Sequence, residues 1–453
     1  MSITSLKSLE RAGSVSRKKM GALLLFAWLC LPSASLSADV LSEARAAYDQ
    51  QKYEQALKFL NALLANNPST AGALELRVRT YLKLKQPEKA VPDYLLWVEQ
   101  RGQDDAPLLR ELSLNVIASA IGDMREQMRG AAVTALKEMG GADTVPVIEI
   151  ALADQSGLVR ALAVEGLARE GHTLQSKRLR KLLQDPAALV RLAVLRAYGE
   201  SGDQKLIPEI EPLLQDEQTR VRAAAGAALV ALGRRDAISG VLALLKQPKP
   251  DERAAVLRIL GHLKDGRVVQ PLFGALSDTE SAVRATAAGI VADRNDDGAA
   301  AALVPLLKDP VPLVRSVVAT GLARLEGAKA VSQLEPLLTE SAPLVRAEAA
   351  AMLLPFRSAT AEPVLREVLR SPDSGVRSAV AKALGQTGSQ AAVPFLLQLL
   401  RDETPRPRIN AIRALGRMKN VNNLAILKPV LKDPDIAVRV TAAGAIGRLL
   451  NGL

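Results

Sequence analysis

Eleven arginines recur every 31 residues: Arg129, Arg160, Arg191, Arg222, Arg253, Arg284, Arg315, Arg346, Arg377, Arg408 and Arg439. Six positions before the arginine stands an aspartate in eight cases (Asp123, Asp154, Asp185, Asp216, Asp278, Asp309, Asp402, Asp433), with Glu340 in a ninth; Gln247 and Ser371 break the column. Three positions after every arginine is Ala or Val, from Ala132 to Ala442. Seven after it is a large apolar residue such as Leu136, Leu260, Leu384 or Ile446, Tyr198 being the one aromatic. Positions 0, +3, +4 and +7 share one face of a helix. A second apolar pattern precedes the aspartate, as in AAVPFLLQLLRD. Each unit therefore reads as a short helix, an Asp-containing turn and a second helix.

Neither helix of such a unit can bury its apolar stripe alone, whereas stacked units share a continuous core. The expected fold is all-α, a solenoid of eleven 31-residue helix pairs. The Ala or Val column permits close approach of neighbouring helices. The pattern over residues 106–453 resembles HEAT repeats, in particular the short HEAT-like repeats of phycobilisome lyases. That resemblance implies a right-handed array with Asp and Arg ladders between adjacent units. It says little of function, because the fold hosts scaffolds, lyases and nucleic-acid enzymes.

Residues 39–105 differ in composition. They hold Tyr48, Tyr53, Phe59, Tyr81, Tyr94 and Trp97, half of the twelve aromatics in the chain. Ala56 and Ala90 are 34 residues apart, as are Leu60 and Tyr94, and Pro68 closes the first unit. A 34-residue helix–turn–helix period resembles the tetratricopeptide repeat. The Trp and Gly of that family's first helix are absent, and Gly102 stands where a second closing proline is expected.

Residues 1–38 read as a secretory signal peptide. Lys7, Arg11, Arg17, Lys18 and Lys19 face one acid, Glu10; Gly21 to Leu31 is apolar; Pro32 and SASLSA follow. Basic, apolar and small is the order of an export signal. The apolar run is shorter than the ~20 residues that span a bilayer. Cleavage after Ser37 or Ala38 would lower the formal charge from +11 to +7 and remove Cys30, the single cysteine. The expected location is the periplasm or the exterior, with no stable membrane span once the signal is removed.

The chain has two histidines, His172 and His262, and one cysteine in 453 residues. This argues against multi-ligand zinc sites and imidazole catalysis. Asp293, Asn295 and Asp297 match the first half of a calcium loop, but Val304 takes the place of its bidentate acid, and a plain acidic turn is the simpler reading. No phosphate-binding glycine loop, GxSxG elbow or CxxC is present. The expectation is a non-enzymatic scaffold or adaptor without cofactor, metal or nucleic acid; a HEAT-like lyase or a nucleic-acid-binding protein is the alternative.

Positions +5 and +9 after each arginine vary freely, as a solvent-facing strip would. They hold Arg169, Arg196, Arg258, Arg324, Lys382, Arg413, Arg417 and Arg448 against Glu138, Glu165, Glu200 and Asp293. Lys382, Arg413, Arg417 and Arg448 fall in the last three repeats with no acid beside them in sequence, so an acidic protein partner or anionic polymer is expected there. The last helix carries Leu449 and Leu450 close to the final residue, Leu453. A terminal repeat normally needs a polar outer face, so these leucines should pack back onto repeat ten or lie under another subunit.

Overall fold

The computed structural model describes residues 33–171 and 177–451. Most of the expected export signal, residues 1–32, lies outside them. The described residues are helical and contain no strand. They fall into two compact units, one ending at Gln103 and the other running Asp104–Leu453.

The first unit is four helices, Ser33–Asp49, Tyr53–Asn66, Ala71–Lys83 and Pro87–Arg101, packed as successive antiparallel neighbours. Ala56, Leu60, Ala90 and Tyr94, the residues of the 34-residue period, are fully buried. Arg77 binds the buried Asp93 at 2.6 Å. Gly102 ends the last helix at φ 74°, a left-handed conformation that favours glycine.

In the second unit every repeat arginine lies on a helix of 11 to 15 residues, from Glu126–Met139 through Gly157–Arg169 and onward to Pro405–Arg417 and Ile436–Leu450. After the first, Ala106–Ser119, the preceding segments are shorter and often broken into 3-10 turns, as in Val331–Leu334 followed by Glu335–Thr339. Pro336 supplies the break, since a proline inside a helix removes a donor and crowds the previous turn. The turn before the long helix is set by the aspartate column. Asp154 Oδ1 accepts from the Ser156 amide at 2.8 Å, and Asp309 does the same for Val311 at 2.9 Å.

The Ala/Val column is completely buried in all eleven repeats, Ala132 to Ala442. Close approach also rests on glycines eight positions after the arginine. A Cβ on Gly385 would lie 2.7 Å from Ala414 Cβ, and one on Gly416 would lie 2.7 Å from Ala445 Cβ. Both distances are below any normal carbon contact, so only glycine fits.

The array closes on itself. Each arginine-bearing helix packs on the next, and the last of them, Ile436–Leu450, packs against Ala106–Ser119 and Glu126–Met139 of repeat one. Successive arginine-bearing helices pack on one another all the way round, whereas the shorter segments of neighbouring repeats pack little on each other. This puts the arginine-bearing helices on the inner side of a ring and the shorter segments outside. This corrects the expectation that repeat ten or another subunit would cover the end, because repeat one covers it as well. Leu449 is buried and Leu450 half-buried on a helix held between repeats ten and one of the same chain. Neither repeat ten alone nor a second subunit is required to cover them.

Candidate binding site on the inner face

The arginine column is a structural ladder between repeats. Arg129 reaches Asp154 at 2.6 Å, Arg160 reaches Asp185 at 2.7 Å, Arg284 reaches Asp309 at 2.7 Å and Arg377 reaches Asp402 at 2.6 Å. Each of these arginines also donates through Nη1 to the backbone carbonyl six residues before it, as Arg160 does to Asp154 at 2.7 Å and Arg377 to Ser371 at 2.6 Å. One guanidinium thus clamps its own turn and grips the carboxylate of the next repeat. Where the column is broken the bridge changes. Arg222 faces Gln247 and bonds Thr219 Oγ1 instead, and Arg346 turns to Glu367 at 2.9 Å in place of Ser371.

Burial alone would push the Asp402 carboxyl up. Arg377 and the Thr404 amide and hydroxyl outweigh it and hold the group at about 2. Asp278 and Asp309 are likewise held below the ordinary carboxylate range, chiefly by Arg253 and Arg284. Side chains so engaged are not available to a ligand.

The calcium-like residues have other engagements. Asp293 binds Arg324 at 2.6 Å, and Asn295 ends its helix in a left-handed conformation at φ 53°. Among the described residues no group of three or more His, Cys, Asp or Glu side chains is placed to hold a metal ion. His172 lies outside the described residues, and His262 is exposed at the end of the Pro250–Gly261 helix. It lines a concavity of about 1310 Å³ over repeats two to five, which has an alanine floor including Ala227 and Ala231, with Arg196 and Arg258 beside it.

The strip at positions +5 and +9 lies on the inner layer, and several of its charges neutralise one another. Arg196 pairs with Glu200 at 2.8 Å, and Lys137 binds Glu165 at 2.7 Å. Ring closure changes the reading of the last three repeats. Glu138 of repeat one lies 3.4 Å from Arg413 of repeat ten, so an acid does face this group.

Lys382 and Arg417 are exposed and form no ion pair among the described residues, while Arg448 is half-buried. Burial lowers the affinity of the Arg448 guanidinium for its proton. Glu138 opposes that effect, and the like charges of Arg169 and Arg417 add to it. Arg413 and Arg448 therefore face Glu138, with Arg169 and Arg417 gathered beside Arg448. Lys382 stands apart, near Glu348. Burial raises Glu348 to about 7, against a hydrogen bond from Thr320 and the charge of Lys382. The sequence strip contained Arg169 and Glu138 but gave no sign that they meet repeats ten and eleven.

Among solved structures, the complex of CpcE and CpcF of phycocyanin lyase from Nostoc sp. is similar at 20% identity over 52% of this chain and 92% of that one, with a TM-score of 0.37. Human deoxyhypusine hydroxylase is similar at 20% identity over 69% of this chain and 98% of that one, with a TM-score of 0.30. No curated protein matches the chain. The family model of HEAT repeats matches residues 176–255, 238–323, 282–354, 331–409 and 393–452. These matches run without a gap from repeat three's first helix to the closing helix, more than half of the chain, and the protein belongs to the HEAT-repeat family.

Proposed function

We propose that this protein is an exported, non-enzymatic scaffold that holds an acidic partner against the inner face of its ring. The observation that carries this reading is the closed inner layer, where Lys382, Arg417 and Arg448 have no ion pair among the described residues while the ladder charges are bound to one another. HEAT arrays commonly bind partners through such extended concave surfaces. Exposed cations on a concave wall favour partners of opposite charge and are screened by salt over ~8–10 Å. The basic, apolar and small order of residues 1–38 supports a setting in the bacterial envelope or outside the cell.

Two measurements test this. Cell fractionation with N-terminal sequencing is expected to recover a chain beginning at Ala38 or Asp39 from the envelope. An intact Met1 in a cytoplasmic fraction contradicts the setting. Capture by the tagged chain is expected to weaken with salt and to be lost in Lys382→Glu, Arg417→Glu. Salt-independent capture that survives this double variant contradicts the acidic-partner reading.

A further inference from the structure

The ring is most strongly charged on its inner face where repeats ten, eleven, one and two meet. Arg413 and Arg417 come from the Pro405–Arg417 helix, Arg448 from the closing helix and Arg169 from the end of Gly157–Arg169. Glu138, on Glu126–Met139, faces Arg413 and Arg448, and Arg169 and Arg417 lie close enough to Arg448 to repel it. Its Oε1 lies 3.4 Å from Arg413 Nε, beyond good hydrogen-bond geometry for so charged a pair, and that buried Nε donates to nothing among the described residues. Among the described residues Arg169 bonds a backbone carbonyl alone, that of Lys137, at 2.9 Å, and the neighbouring Lys137 is neutralised by Glu165. Four guanidiniums thus stand against one acid, one of them with an unmatched buried donor.

Like charges gathered at a partly desolvated site repel, and a buried donor without an acceptor is costly. Both are relieved by an anion that supplies several charges and several acceptor oxygens in a small volume. A single carboxylate offers two oxygens and one charge. A run of acidic side chains spreads its charge along a groove, whereas these arginines crowd around Arg448. Guanidinium forks match phosphate oxygens bidentately. The site contains no Trp, Tyr or Phe, so the stacking that single-stranded nucleic acid requires is missing.

We propose that Arg169, Arg413, Arg417 and Arg448 form a binding site for a compact, multiply charged phosphate ligand, of which diphosphate is the minimal form. The site rests on the inner face being the binding face and gives its acidic partner a chemical class. Glu138 then acts as a counter-charge that holds Arg413 in place while the site is empty.

The test is calorimetric titration of the purified full chain with inorganic pyrophosphate, citrate serving as a polycarboxylate probe. Pyrophosphate is expected to bind with one-to-one stoichiometry. Arg417→Gln, at an exposed position without an ion pair, is expected to weaken it about tenfold or more. Arg258→Gln, on the opposite part of the strip, is expected to leave it unchanged, and Glu138→Gln to tighten it. Pyrophosphate that fails to bind the folded wild type, binds Arg417→Gln equally well or binds no better than citrate overturns the proposal. Such a failure leaves capture of an acidic protein standing, because the two experiments use different probes.

Discussion

The joints between neighbouring repeats and the joint that closes the ring solve the same packing problem differently. Between repeats nine and ten, Gly385, eight residues after its arginine, meets Ala414, six residues after the next. Gly416 meets Ala445 in the same register. At closure the glycine that meets position six, Ala135, is Gly444, only five residues after Arg439. The last helix is therefore offset by three residues, about 4.5 Å at 1.5 Å per residue. That offset takes the ladder out of reach. Arg439 bonds the carbonyls of Asp433 and Pro434, and Asp123, which would have received it, is bound by Arg125 at 2.8 Å. Arg110 replaces the missing bridge, joining Asp143 at 2.6 Å to Asn451 at 2.6 Å, and Asn451 in turn donates to the Met139 carbonyl. The glycine–alanine contact is common to both kinds of joint and the ion pair is not. Close helix packing holds the ring, and the Arg–Asp ladder fixes register.

The strongest way to break the comparison is to fill the two kinds of glycine. A Cβ on Gly444 would lie 2.9 Å from the Ala135 carbonyl oxygen and 3.0 Å from its Cα, so the backbone itself must move. Gly444→Leu is expected to cost about 3 kcal/mol or more, the upper end for overpacking, and to open the ring, raising the radius of gyration in X-ray scattering. Gly416→Leu is expected to lower Tm comparably, since Ala445 Cα would be 3.2 Å away, but to leave the closure intact. Equal radii for the two variants would remove the distinction between the joints.

Removing ladder members separates the bridged joints from the broken one. The Arg377 and Asp402 side chains are almost wholly buried, at 9% and 7% exposure. Arg377→Ala strands that carboxylate and is expected to cost roughly 2–3 kcal/mol. Arg222→Ala, which has only Thr219 and backbone carbonyls to lose, is expected to cost about 1 kcal/mol. Denaturant melts of the two variants decide this, and equal losses would show that the carboxylate contributes nothing.

Acid sharpens the same point. The ladder carboxylates are depressed in the folded chain, Asp402 to about 2, against about 3.9 when unfolded. Their stabilisation is full above that unfolded value and is lost as pH falls through the folded one. Tm is therefore expected to drop between about pH 4 and pH 2, less steeply in Asp402→Asn, as followed by circular dichroism. The smallest effect is a repair: Gln247→Asp offers Arg222 the missing carboxylate and is expected to add about 0.5–1 kcal/mol.

Much of the architecture was legible because it repeats. The arginine and Ala/Val columns recur in every unit and the aspartate in eight of the eleven, and each has a local cause in a turn, a bridge or a close contact. The closure was not legible. It depends on a small rotation at each joint summed around the array, and no residue encodes that sum. Leu449 and Leu450 did signal a covered end, but the sequence offered repeat ten or another subunit rather than repeat one. The same gap hid the arginine cluster. Glu138 and Arg169 stand about 240 residues or more before Arg413 and Arg448 in sequence, and only the closed ring brings them together.

Closure itself is tested most directly across the pair Lys428 and Asp104, which lie 2.7 Å apart at their charged ends although 324 residues separate them in sequence. In a Cys30→Ser background, Asp104→Cys, Lys428→Cys treated at high dilution with a short bis-maleimide is expected to give an intramolecular cross-link, seen as a faster-migrating monomer on a denaturing gel. A chain that stays uncross-linked while folded, or that yields cross-linked dimers alone, would contradict the closed ring.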